Sequence, residues 1–149
     1  MNVVALVVLI LVVVALVQAA VWIPLTRSWR RKRAEFETGF QAELAASGER
    51  ILLRESAIYR GGTGGYGAVK GNGTIILTDR RLLFRKVTGG LVDVARAKIT
   101  ATRRSKSFLG SRVGGRTHLV VATSDPAEVG FFVTDIDAWE RELHRIGTT

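Results

Sequence analysis

Residues 3–25, VVALVVLILVVVALVQAAVWIPL, contain no ionisable side chain and one polar amide, Gln18. A run of this kind has few folded destinations. Crossing the ~30 Å hydrocarbon core takes about 20 apolar residues wound as a helix, because lipid offers the backbone no other hydrogen-bond partners. A helix buried in a globular core is the competing reading, disfavoured by the run's length, its terminal position and the basic cluster that follows it. A cleaved signal peptide would need a positively charged start and an apolar stretch of only about 7–15 residues. Here Met1 and Asn2 carry no side-chain charge, and the run continues past LVQAA through Val21, Trp22, Ile23 and Leu25. A retained transmembrane anchor over residues 1–26 is therefore expected.

Charge fixes its direction. No charged side chain precedes Arg27, and Arg27, Arg30, Arg31, Lys32 and Arg33 then place five cations in seven residues. Cationic flanks stay on the cytoplasmic side, and Trp22 and Trp29 suit the headgroup layers. The expectation is a single-pass inner-membrane protein with its N-terminus outside and its C-terminal domain cytoplasmic. Each of the five cations near an anionic leaflet is worth about 1 kcal/mol. Residues 27–47 are expected to combine this basic juxtamembrane segment with a short amphipathic helix, in which Phe36, Phe40 and Leu44 recur every four residues and Gly48 ends the run.

After Gly48 the period changes from helix to strand. ILLRESAIYR (51–60), TIILT (74–78), RLLFRKV (81–87), LVDVAR (91–96), KITATRR (98–104), THLVVAT (117–123) and VGFFVT (129–134) read as short strands separated by turn residues. The gaps are too short for crossover helices, so the strands are expected to be mostly antiparallel. In KITATRR, alternation places Ile99 and Ala101 on one face and Lys98, Thr100, Thr102 and Arg104 on the other. Thr134 and Asp137 have the spacing of a capping box before a helix whose stripe is Ile136, Trp139, Leu143 and Ile146. The expected fold is all-β with a helix: about seven strands forming a small barrel, its open end plugged by Trp139.

GTIILTDRRLLFRK, LVDVARAKITATRR and VGFFVTDIDAWERELHRI together resemble the bacterial pleckstrin-homology-like and GRAM-like domains. The matching positions are Gly73, Leu77, Thr78, Asp79, Arg80, Arg81, Leu82, Leu83 and Phe84, then Ile99, Phe131 or Phe132, and Trp139. The resemblance covers about residues 48–147 and defines a domain over 48–149. It implies a seven-stranded, two-sheet barrel capped by a C-terminal helix. It also implies a binding module, since some relatives bind phosphoinositides or other anionic lipids and many bind proteins. Lipid-binding relatives often use a basic residue ending the first strand and a Lys/Arg-x-Arg in the second. Arg60 and Lys70 match in part, but Gly71-Asn72-Gly73-Thr74 follows with no second basic pair, so Arg60 and Lys70 are assigned only a weak anion contact.

The remaining signals narrow the chemistry. GTGGYGAVK (62–70) satisfies G-x-G-x-x-G, but a dinucleotide loop requires a helix after the glycines, and loop and strand follow here. Seven of the thirteen residues from Gly61 to Gly73 are glycine, which produces the match by composition. The absence of cysteine removes disulfides, thiolate metal sites and cysteine nucleophiles. His118 and His144 lack a nucleophile and orienting acid in any recognisable arrangement. Glu49, Glu55, Asp135 and Asp137 read as solvated surface. No enzyme activity, cofactor or metal site is expected.

The net charge of +9 favours polyanions. Arg96–Arg116 holds seven basic and no acidic residues. From this segment Arg103, Arg104, Lys106, Arg112 and Arg116 are expected, with the five juxtamembrane cations, to contact anionic lipid headgroups; Arg96 and Lys98 belong to the same patch. The expected function is a membrane-anchored cytoplasmic binding or scaffold module with the bilayer and anionic phospholipids as partners. The alternative is a protein–protein interaction subunit of a membrane complex without lipid specificity, using Phe108 and Leu109 toward an unidentified membrane protein. Nucleic acid is disfavoured, because no stacking aromatics interleave the second cluster.

Overall fold

The computed structural model describes residues 2–145, with residues 19 and 21–37 described in backbone alone. The chain divides into two compact units, Met1–Ala46 and Ser47–Thr149.

The first unit is helical. Helix α1 (Val3–Ser47) joins the expected apolar and amphipathic segments into one element, and Gly48, at φ +69°, ends it in the left-handed conformation that glycine adopts without strain. The large apolar residues from Val3 to Val17 are exposed on every face of the helix. Among the described residues, no helix is long and apolar enough to cross a membrane. The expected span lies only partly among them: the side chains of residues 19 and 21–26 fall outside, as do those of Arg27, Arg30, Arg31, Lys32, Arg33 and Phe36. Phe40 and Leu44 are buried.

The second unit contains β1 (Ile51–Gly62), β2 (Gly71–Thr78), β3 (Arg81–Lys86), β4 (Leu91–Ala95), β5 (Ile99–Ser105), β6 (His118–Thr123), β7 (Glu128–Phe132) and α2 (Ile136–His144). All strand pairs are antiparallel, in the order β4-β3-β2-β1-β7-β6-β5. The seven strands and closing helix are those expected; the division into two sheets is not. The twelve-residue β1 pairs with β2 along Ile51–Tyr59 and with β7 along Ile58–Gly62, so hydrogen bonding runs unbroken through it. A register shift between Tyr59 and Gly61, the latter at φ +107°, marks the crossing from one half to the other.

Alternating residues of six strands meet α2 in one core. Ala57, Tyr59, Ile75, Leu77, Leu82, Phe84, Val92, Val94, Leu119, Val121, Val129 and Phe131 pack with Trp139 and Leu143. Tyr59, Phe84 and Phe131 form an aromatic triangle with ring centroids 5.5–5.6 Å apart. Burial pushes the Tyr59 hydroxyl up to about 12, and that hydroxyl donates to the Gly67 carbonyl at 2.7 Å. Trp139 fills the core as expected, and its Nε1–H donates to Glu55 at 3.0 Å.

Three local expectations change. The α2 cap is Asp135, whose carboxylate accepts from Ala138 N at 3.0 Å, one residue beyond the expected Thr134. Glu49 and Glu55 are structural acceptors rather than solvated acids. Glu49 takes bonds from Thr78 (2.8 Å) and Arg81 (3.1 Å), and its side chain is 5% exposed. In β5 a bulge between Ile99 and Ala101 breaks the alternation. Ile99 and, beyond the bulge, Thr102 and Arg104 all share the face of Leu119 and Val121, because one extra residue sends every later side chain to the opposite side.

Candidate anion-binding face

The cations expected to act together separate into two groups. Those on β5 are held by carboxylates. Arg103 donates three bonds to both oxygens of Glu128, at 2.9–3.2 Å. Arg104 reaches Glu140 and Asp137 on α2, which holds the Asp137 carboxyl below its usual range. Just before β5, Lys98 pairs with Asp125 at 2.6 Å, and Arg96 reaches the Thr78 carbonyl at 3.4 Å. Carboxylates of the C-terminal third thus neutralise Lys98, Arg103 and Arg104 internally.

The second group lies where the β1–β2 and β5–β6 connections meet. A Cβ at Gly61 would sit 3.0 Å from both the Ala68 carbonyl and Leu109 Cδ1, so the two connections converge on Gly61. The glycine-rich connection is pinned: Thr63 N donates to the Glu128 carbonyl (2.9 Å), Glu128 N to the Thr63 hydroxyl (2.9 Å), and Lys86 Nζ to the Val69 carbonyl (2.7 Å). Strand β2, not a helix, follows the glycines, so the nucleotide fingerprint has no helix N-terminus to use.

The β5–β6 connection is pinned by an aromatic anchor. Phe108 and Ser111 exchange backbone hydrogen bonds of 3.1 and 3.0 Å around Leu109 (φ 48°) and Gly110 (φ 72°). This is the geometry of a tight hairpin turn with two left-handed residues. It aims Phe108 onto the outer side of β7, at a spot where a Cβ on Gly130 would run into the ring. Phe108 is buried, whereas Leu109 is exposed.

Beneath this connection lies His118, the first residue of β6 and fully buried. Its Nδ1 is 3.0 Å from the Ser105 carbonyl. A carbonyl only accepts, so Nδ1 carries the proton and Nε2 of the neutral ring is a bare lone pair. Nε2 is buried without a hydrogen-bond partner, as is Arg60 Nε. The His118 ring lies 4.3 Å from the Phe132 ring, and the Arg60 and Arg116 guanidiniums sit 4.9 and 4.8 Å from the Phe132 centroid. Arg60 donates to the Ser111 hydroxyl at 2.6 Å. Desolvation, with Arg60 and Lys70 nearby, pushes the His118 ring below its ordinary range.

Of the cations singled out in the sequence, Arg60, Lys70, Lys106, Arg112 and Arg116 lie on β1 and on the β1–β2 and β5–β6 connections, and the fold adds His118 and Phe132, which carry no basic signal in the sequence. Lys70, Lys106, Arg112 and Arg116 are exposed and, among the described residues, no carboxylate pairs with them or with Arg60. Nor do any three described His, Asp or Glu residues group as metal ligands.

No family model and no curated protein matches the chain. Among solved structures it is similar to the C-terminal domain of an unknown protein from Leishmania infantum, at 15% identity over 76% of this chain and 99% of that one, with a TM-score of 0.57. It is also similar to the Vps36 N-terminal PH domain, at 20% identity over 69% and 85% of the two chains, with a TM-score of 0.49. The first likeness is one of fold. Seven antiparallel strands closed by a C-terminal helix are also what the pleckstrin-homology-like resemblance implies.

Proposed function

We propose that the chain is a membrane-anchored, non-enzymatic binding module that docks its β-domain on anionic lipid. The helix from Val3 serves as the anchor, continuing through Leu25, with the basic cluster from Arg27 to Arg33 on the cytoplasmic side. The exposed apolar residues from Val3 to Val17 support this, since a helix apolar all round needs an apolar surrounding. The observation that carries docking is the cation group that no carboxylate among the described residues pairs: Arg60, Lys70, Lys106, Arg112 and Arg116. Exposed Val69, Leu109 and Val113 sit among them and suit the headgroup boundary. Tethering raises the domain's effective concentration at the bilayer, so weak individual contacts suffice.

The chain has no cysteine, which permits a single polarity-sensitive fluorophore at Val113→Cys. The full chain is reconstituted in nanodiscs and incorporation is checked by resistance to carbonate extraction. The expected result is a blue-shifted emission that grows with anionic lipid content, while a fluorophore at Leu91→Cys on edge strand β4 stays unshifted. Equal emission in neutral and anionic discs defeats docking, and extraction by carbonate defeats the anchor. A protein partner is the second reading, favoured by the unpaired edges of β4 and β5 and by exposed Leu91. Crosslinking at Leu91→Cys to one defined protein in native membranes would support it.

A further inference from the structure

Arg60 is the anomaly of the domain. It is half-buried, its Nε has no partner, and its one polar side-chain contact is a neutral hydroxyl. Arg81, similarly half-buried, has both Glu49 and Asp93. A guanidinium withdrawn from water without a counter-charge is costly. Here the cost is compounded by Arg116 over the same ring and by Lys70 close enough to act on His118.

We infer that Arg60, Arg116 and His118 form a site for one tetrahedral oxyanion of the phosphate class, and that filling it is coupled to proton uptake on the His118 ring. The inference rests on the same cationic face as the docking reading and names its ligand chemistry. Guanidiniums suit phosphate because they donate paired N–H bonds to adjacent oxygens. The Ser111 hydroxyl already engaged by Arg60 adds a further polar group. His118 supplies the coupling. The Ser105 carbonyl fixes its proton on Nδ1, so neutral Nε2 presents a lone pair that repels an anion, and protonation turns it into a donor. The groups facing it are Arg60 from β1, Lys70 from the β1–β2 connection, the Ser105 carbonyl from β5, Phe108 from the β5–β6 connection and Phe132 from β7. The charges acting on it are both positive, so the ring stays neutral until an anion offsets them. The exposed Arg116, stacked over Phe132, is the side chain that must turn to admit the anion and then hold it.

The chain has only two histidines, His118 and His144, so ring ¹³Cε1 labelling resolves the question in the full chain. Discs of phosphatidylcholine are titrated with sodium sulfate, whose charge is constant through neutral pH, and in parallel with inorganic phosphate, against sodium chloride of equal ionic strength. A second set of discs contains phosphatidic acid and no added oxyanion. The expected result is a rise of the His118 midpoint by about one unit over the sodium chloride arm, equivalent to about tenfold tighter anion binding to the protonated ring. A rise in the phosphatidic acid discs makes the ligand a lipid headgroup; a rise with dissolved anion alone makes it a free oxyanion. An unmoved His118 midpoint in every arm overturns the inference, and so does the same rise in Arg60→Gln and Arg116→Gln. The exposed position of Arg116 guards against simple misfolding, and the His144 resonance reports folding of both variants. The sulfate arm requires no docking, so a sulfate response without a fluorophore shift defeats the docking reading and leaves this one standing.

Discussion

Two sets of cations in this domain come from one stretch of sequence and meet opposite fates. Arg103 and Arg104 leave β5 on opposite faces, and each finds carboxylates that the chain supplies 25 to 36 residues later. Arg112 and Arg116 sit a few residues further on, in a connection whose neighbours are Arg60, Lys70 and a buried imidazole, and meet no acid among the described residues. A high local charge therefore says little by itself about what a surface binds. What matters is which charges the fold has already paired, and the β5 bulge contributes by turning Arg104 toward α2.

The contrast can be broken at either side. The largest effect is expected at Glu49, the most buried carboxylate in an ion pair with Arg81. Glu49→Gln should lower stability by about 2 kcal/mol in denaturant unfolding at neutral pH, because Arg81 and Thr78 lose a charged acceptor. The hydrogen bond from Arg81 holds Glu49 below its ordinary carboxylate value. The parent's extra stability is therefore fully present above about pH 4.5 and is lost as pH falls through the lowered value; the variant lacks this acid-dependent part.

The unpaired side should behave in the opposite sense. Arg60→Met removes a charge without a counter-ion while keeping a long apolar side chain over Phe132. Stability should hold or rise by up to about 1 kcal/mol, while the docking equilibrium read by the Val113→Cys fluorophore weakens about tenfold, or roughly 1.4 kcal/mol. A smaller gain is expected from Glu128→Gln, which releases Arg103 on the outer face it shares with Ser105. One more available cation near the surface should strengthen docking by about 1 kcal/mol. The smallest effect is expected from Arg104→Gln. This pair is exposed, so the melting temperature should drop only slightly, the drop should vanish in high salt, and docking should not change.

Much of the scaffold was readable in advance because strands and helices announce themselves by period. The seven segments, Gly48 as the end of α1 and Trp139 as the core plug all follow from apolar spacing within a dozen residues. What escaped was long-range or displaced by one residue. The β5 bulge reverses the faces of Thr102 and Arg104 with no local signal. Asp135 rather than Thr134 caps α2, since either side chain suits the position. Glu49 and Glu55 look like surface acids until Arg81 and Trp139 arrive from elsewhere in the fold. Arg60 could be flagged from its place at the end of β1, but His118 reads as one more strand residue, and only the β6–β7 register sets it beside Phe132, under the coverage by Phe108.

That coverage has a consequence for recognising kindred chains. The position of the basic β5–β6 connection depends on a hydrogen atom standing where residue 130 would otherwise carry a methyl group, so the loop's own letters are a poor guide to its placement. A descendant could rewrite most of 106–117 and keep the same lid, provided an aromatic ring still seats over a bare backbone on the neighbouring strand. One that gains a side chain at that point would lose the lid however faithfully it preserved the arginines.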